Sequence, residues 1–215
     1  MKNSGMNKWV LIFFVGSIWG LSEALFGGLL YASEIRGASI YLGAWALFLL
    51  SSARYLTNIP GTSTAIGTIA VLFRLVNAGM YICHLGGIFL LGVAFDIAAT
   101  LLLKHSHTKK GKGALQLART SGTGVLSSLL SNGLFAFIFT FIVRYSYWAS
   151  GGWPKVIDHT FVNGGWMALS ATISVTLGWK LGQNSRRFAR LNLVLANRFA
   201  LALSLGFWII GHFVG

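Results

Sequence analysis

WVLIFFVGSIWGLSEALFGGLLYA, residues 9–32, decides the class of this protein. Its one charged side chain is Glu23, and every other residue is apolar, small or aromatic. About 20 such residues are enough for a helix to cross the hydrocarbon core of a bilayer. Outward from it, six more segments qualify: 37–56, 61–82, 85–103, 121–147, 156–182 and 199–214, the last being the shortest. The whole chain agrees. Its 215 residues are 55% hydrophobic and 10% charged, where a soluble chain carries about a quarter charged residues. The mean hydropathy is +0.70. The expected fold is therefore all-α, a polytopic transmembrane bundle of six or seven helices forming a single integral membrane domain. Lys2 and Lys8 ahead of an apolar run also fit a signal peptide. The run's length, Glu23 inside it and the lack of a small-x-small cleavage site favour an uncleaved span.

Basic residues set the orientation. The chain holds 17 Lys and Arg against 4 Asp and Glu, a net charge of +13. With the N-terminus inside, one side carries Lys2, Lys8, Arg54, the cluster from Lys104 to Arg119 and the cluster from Lys180 to Arg198. The other carries Arg36, Arg144 and Lys155. By the positive-inside rule the N-terminus is cytoplasmic, in a multi-pass protein of the cell membrane. Segment 104–119 reads as a basic cytoplasmic loop. Segment 185–198 places Phe188, Leu191, Val194 and Leu195 on one helical face and reads as an interfacial helix on anionic lipid, or one docked on a partner. No nucleic-acid partner is expected, since no DNA- or RNA-binding motif accompanies the charge.

The residues that could carry chemistry sit inside the spans. Gly16, Gly20, Ala24 and Gly28 recur every four residues and line one helical face, where another helix can approach closely. That helix belongs to the same chain or to a separate subunit. Glu23 lies at the margin of the stripe. A carboxylate at mid-membrane costs about 2.5–3.5 kcal/mol, so it should face protein or water. At about 1.5 Å per residue, Glu23 lies roughly 21 Å and Arg74 roughly 20 Å from the cytoplasmic side, so the two can pair. Asn77 shares a face with Arg74, His84 marks the outer end of the same helix, and His159 and Asn163 lie one turn apart on the sixth. With Arg144 nearby, and ringed by Trp19, Tyr81, Trp148 and Trp166, they suggest an outward-facing ligand pocket of Glu23, Arg74, Asn77, His84, His159 and Asn163. Asp96 lies roughly 11 Å from the cytoplasmic end of its helix, within reach of a snorkelling Arg54, as an ion site, a structural counter-ion or an inner gate.

Enzymatic and metal chemistry find less support. GTSTAIG (Gly61–Gly67) and HLGG (His84–Gly87) are faintly similar to rhomboid-protease motifs, but Ser63 and His84 fall about 30 Å apart, too far for proton transfer. No phosphate-binding GxxxxGK[ST] occurs, so ATP-driven work needs a partner. The single cysteine, Cys83, excludes an intrachain disulfide and a multi-cysteine metal site. His105 and His107 alone are a weak metal signal. No catalytic residue, metal or cofactor is assigned. The alternatives are an integral-membrane enzyme acting on a lipid or isoprenoid, and a ligand-free scaffold.

GSIWGLSEALFGGLLY (Gly16–Tyr31), FRLVNAG (Phe73–Gly79) and HLGGIFLLGVAFDIAAT (His84–Thr100) resemble a group of prokaryotic membrane proteins. That group is similar to the substrate-binding (S) components of energy-coupling-factor transporters. The resemblance covers about the first half of the chain and implies a compact six-helix bundle that captures a vitamin-like molecule or a metal from outside. It further implies a transmembrane coupling protein with two ATPase subunits as partners, and assigns docking on that protein to Gly16, Gly20, Ala24 and Gly28. A seventh span departs from the six-helix pattern.

Overall fold

Long apolar stretches with few prolines leave the backbone one economical conformation in a lipid environment, the helix, which satisfies its own hydrogen bonds. The computed structural model describes residues 7–27, 29, 30, 33, 37–77, 82–103, 113–188 and 193–214, and every regular element among them is helical. α1 (Lys8–Ser22) starts at Asn7, whose side chain accepts from the Trp9 amide, and runs into a π-helical turn, Glu23–Gly27. α2 is Ala38–Thr57, ended by Asn58 in the left-handed region ahead of Pro60. α3 is Thr62–Asn77 and α4 is Ile82–Leu102. α5 (Ala114–Phe137) continues into a π turn, Ile138–Ile142. Two short helices follow, α6 (Ser146–Ala149) and α7 (Gly152–Asp158). A third π turn, His159–Asn163, leads into α8 (Gly164–Phe188), and α9 is Leu193–Val214.

Among the described residues, four helical stretches are long and apolar enough to cross a membrane: Lys8–Gly27, Ile82–Leu102, Ala114–Ile142 and Val194–Phe213; Thr62–Asn77 is apolar but shorter. Their outer faces match a lipid solvent. Leu169, Ile173 and Leu177 repeat every four residues along α8, Leu201, Leu205 and Ile209 do so along α9, and all six are exposed. The chain is a membrane protein.

Six helices close a ring in the order α1, α3, α4, α5, α8, α2. Small residues set its tightest seams. A Cβ at Gly16 would stand 2.6 Å from Ile69 Cβ, and one at Gly20 would stand 2.5 Å from Phe73 Cβ, so only glycine lets α1 lie this close to α3. α4 runs back along α3, where a Cβ on Gly92 would meet the Ser63 carbonyl at 3.0 Å. Ser51 Oγ donates to the Val175 carbonyl at 2.7 Å and Tyr55 meets Trp179 edge-on at 4.9 Å, joining α2 to α8. Leu47, Leu50, Ile66, Phe95, Val175 and Trp179 fill the ring toward one end.

α9 lies outside the ring, along α1 and α3. Its Asn197 Oδ1 accepts from the Asn7 amide, and its Trp208 donates to Ser17 Oγ at 3.0 Å and packs edge-on against Phe73. The contacts pair the start of α1 with the start of α9 and its middle with the middle. The two helices are parallel.

Several expected boundaries move. α5 begins at Ala114, not at 121, because LQLAR (Leu115–Arg119) is made of helix-favouring residues; the described end of the supposed loop 104–119 is therefore helical. Residues 104–112, with His105 and His107, lie outside the described residues. The separate interfacial helix at 185–198 is also revised. Its first four residues prolong α8 and its last six open α9, while residues 189–192 lie outside the described ones. α3 ends at Asn77, whose amide bonds back to the Phe73 carbonyl at 2.9 Å, so His84 belongs to the first turn of α4 rather than to the end of α3.

Candidate functional site

The π turn at Glu23 inserts an extra residue at the end of α1 and so changes the face on which the following residues fall; such turns are common where a helix carries function. Glu23 itself is 4% exposed and fully engaged. Its Oε1 accepts from Trp19 Nε1 at 3.0 Å, and its Oε2 lies 2.9 Å from Nε2 of His84 on α4. Arg74 approaches from α3 but donates from Nη1 to the main-chain carbonyl of Glu23, not to its carboxylate. Similar depth brings Glu23 and Arg74 together as expected, while the expected carboxylate–guanidinium pair is replaced by His84–Glu23.

A second cluster forms across the ring. His159 opens the π turn before α8, and its Nδ1 lies 2.7 Å from the Asn163 amide nitrogen one turn on. With the amide donating, Nδ1 accepts and a neutral ring carries its proton on Nε2. Trp148 packs edge-on against the ring at 4.8 Å, and Phe135 lies at 5.8 Å. Lys155 ties this corner together, donating to the Tyr147 carbonyl at 2.5 Å and lying 3.2 Å from the centre of the Tyr147 ring.

Between the two clusters lies a cavity of about 720 Å³. All six ring helices line it, near the ends where α1 and α3 finish and α2, α4 and α8 begin. Glu23, Arg74, His84 and His159 reach it; Asn77 is buried behind it, bonded to Phe73, and Asn163 acts through His159. Of the expected aromatic rim, Trp19 and Trp148 line the cavity. Trp166 is 61% exposed on the outside, because the helical turn that carries it faces away, and Tyr81 lies outside the described residues. A volume of this size, with a mainly apolar wall and a few convergent polar groups, suits a small-molecule site.

The wall includes residues the sequence reading passed over. Asn132 on α5 donates to the Ser128 carbonyl at 2.9 Å, lies 3.3 Å from Met167 Sδ, and borders the cavity beside Ser131. Its signal was present: it is the one carboxamide in the apolar stretch 121–142. Cys83 also lines the cavity. Among the described residues, no three His, Cys, Asp or Glu side chains come close enough to hold a metal ion.

The remaining expected sites are accounted for elsewhere. Gly16 and Gly20 are consumed by the α1–α3 seam, so they are not a free docking face for another subunit; Ala24 is half-buried beyond them, and Gly28 lies outside the described residues. Asp96 and Arg54 do meet. Arg54 Nη1 donates to Asp96 Oδ1 at 2.8 Å and to the Ile59 carbonyl at 2.6 Å, and Nη2 donates to Thr100 Oγ1 at 2.8 Å. Asp96 Oδ2 accepts from the amide and the hydroxyl of Thr64, each at 3.1 Å. This buried network pins α2, α3 and α4 at the end of the ring opposite the cavity.

Comparison with protein-family models, with curated proteins and with solved structures finds no match to this chain.

Proposed function

We propose that this chain is the substrate-capturing membrane subunit of a small-molecule uptake system, similar in kind to the substrate-binding components of energy-coupling-factor transporters. One observation carries the reading: a cavity of about 720 Å³, lined by all six ring helices, collects Glu23, Arg74, His84 and His159 from four separate segments. Glu23 and Arg74 are buried at this void, and His84 and His159 are half-buried. Glu23 and the two histidines have protein partners, whereas Arg74, with one hydrogen bond among the described residues, is left with donors that a polar occupant would satisfy. The six-helix ring with α9 laid outside it also accommodates the resemblance, since the extra helix leaves the ring intact.

The charge distribution supports a capture site facing outward. The basic clusters fall on the side of Arg54 and the chain's N-terminus, and the cavity end carries few basic residues. In this arrangement all seven long helices cross the cell membrane, the N-terminus is cytoplasmic and the C-terminus is outside. The chain has no nucleotide-binding motif, so the reading calls for a transmembrane coupling protein with ATPase subunits. Such a partner would dock on a surface other than the Gly16–Gly20 seam.

The test is purification from membranes in mild detergent, with mass spectrometry of retained small molecules and co-purifying proteins. Wild-type protein should retain a compound that Gly87→Phe loses, because Gly87 borders the cavity and a Cβ added there would meet Phe135 only at 4.0 Å. Identical lipids and nothing else in both preparations would reject capture.

A further inference from the structure

We propose that the captured molecule is an organic anion, a monocarboxylate on a mainly apolar body, and that Arg74 receives its carboxylate. This rests on the capture reading above and adds the chemical class of the ligand. Among the described residues two arginines are buried, and they are satisfied very differently. Arg54 is 3% exposed and donates to Asp96, the Ile59 carbonyl and Thr100, so its fork is closed by protein. Arg74 is 7% exposed and lines the cavity, yet its one hydrogen bond among the described residues goes to the Glu23 main-chain carbonyl. A guanidinium keeps its charge and has five N–H donors. Among the described residues no carboxylate comes within ion-pair distance of this one.

Glu23 is the obvious counter-ion, and it is occupied. Its two oxygens are held by Trp19 and His84. Arg74 Nη1 and Glu23 Oε2 both lie within 3.6 Å of the point where a Cβ on Gly27 would stand, so the carboxylate is close without being bonded to the guanidinium. A buried cation with unspent donors facing a void is complementary to an anion. Glu23 also limits which anion. A dianionic phosphate would set two negative charges beside that carboxylate, whereas a carboxylate adds one and matches the planar fork. The rest of the wall, with Leu42, Ile88, Leu91, Phe135, Trp19 and Trp148, accepts an apolar body.

The experiment uses full-length protein in detergent at neutral pH. Indoleacetate, phenylbutyrate and octanoate are each compared with the corresponding primary amide and amine by thermal melting and by tryptophan fluorescence, which Trp19 and Trp148 report. At least one acid should bind about tenfold or more tightly than its amide and amine, as expected for a hydrogen bond to a charged group. Arg74→Gln should erase that preference. If Arg74→Gln does not fold, Arg74→Lys, which keeps the charge but not the fork, should reduce it. Equal binding of acid and amide, or tighter binding of the amine, would overturn the anion assignment and leave the capture reading standing. An acid preference that survives both substitutions would overturn the role of Arg74. Binding by no member of the three sets would count against both.

Discussion

His84 Nε2 stands 2.9 Å from Glu23 Oε2, which couples the acidic side chain of the π turn after α1 to the first turn of α4 across the cavity wall. The same carboxylate accepts from Trp19, so one side chain holds two others in place.

Replacing that carboxylate therefore separates stability from ligand capture. Glu23→Leu leaves the buried Trp19 indole without its acceptor and removes a contact of half-buried His84, and an unpaired buried group costs about 1–3 kcal/mol. Glu23→Gln keeps an acceptor oxygen for Trp19. Thermal melting should show a large loss for Glu23→Leu and a smaller one for Glu23→Gln, while mass spectrometry shows loss of the retained compound in both.

The Arg54–Asp96 pair should behave as structure. Removing one partner strands a buried charge, a loss of about 3–5 kcal/mol, whereas replacing both by apolar residues of similar size is often close to neutral. Asp96→Ala should thus be more destabilising than the double variant Arg54→Met with Asp96→Leu. A double-mutant cycle measured by unfolding in detergent checks this, and additive losses would refute it.

Gly20→Leu should destabilise the isolated chain, because even a Cβ at that position would stand 2.5 Å from Phe73 Cβ. Overpacking of this kind costs about 1–3 kcal/mol or more. Phe213→Ala, at a side chain 82% exposed, should leave melting unchanged. Unaltered stability in Gly20→Leu, paired with loss of a co-purifying protein, would instead restore the docking role of the small-residue stripe.

Trp148→Ala removes three edge-on ring contacts, at 5.8 Å to Tyr147, at 5.2 Å to Phe135 and at 4.8 Å to His159. Each such pair is worth about 0.5–1.5 kcal/mol beyond area burial. The expected result is a modest drop in melting temperature together with weaker retention of the captured compound. Trp166→Ala, on the outer surface, should change neither.

With α1 and α9 parallel, the proposed seven crossings put the chain's two ends on opposite sides of the membrane. In a Cys83→Ser background, a membrane-impermeant maleimide should label His212→Cys but not Lys8→Cys on intact cells. Labelling of neither, or of both, would contradict seven crossings.

Much of this was readable along the chain. Apolar runs of helical length, with one carboxylate in the first, determined an all-helical membrane protein, and the fixed rise of a helix placed Glu23 level with Arg74. The Arg54–Asp96 contact followed from the same measure of depth. Asn132 was legible by the same logic and was missed among the serines around it.

Depth, however, is one coordinate, and contact needs the angle around each helix as well. That angle is decided by which helices lie side by side, here by glycines at 16, 20 and 92 that meet residues far off in sequence. It is also shifted by π turns at Glu23 and His159 that leave no mark in the apolar pattern. Hence the sequence alone determined the solvent, the helices and the level of each buried charge. Tertiary structure decided that Glu23 holds His84, that Arg74 keeps donors facing a void, and that Gly16 and Gly20 are spent inside the chain, because these depend on close packing between segments with no local signature.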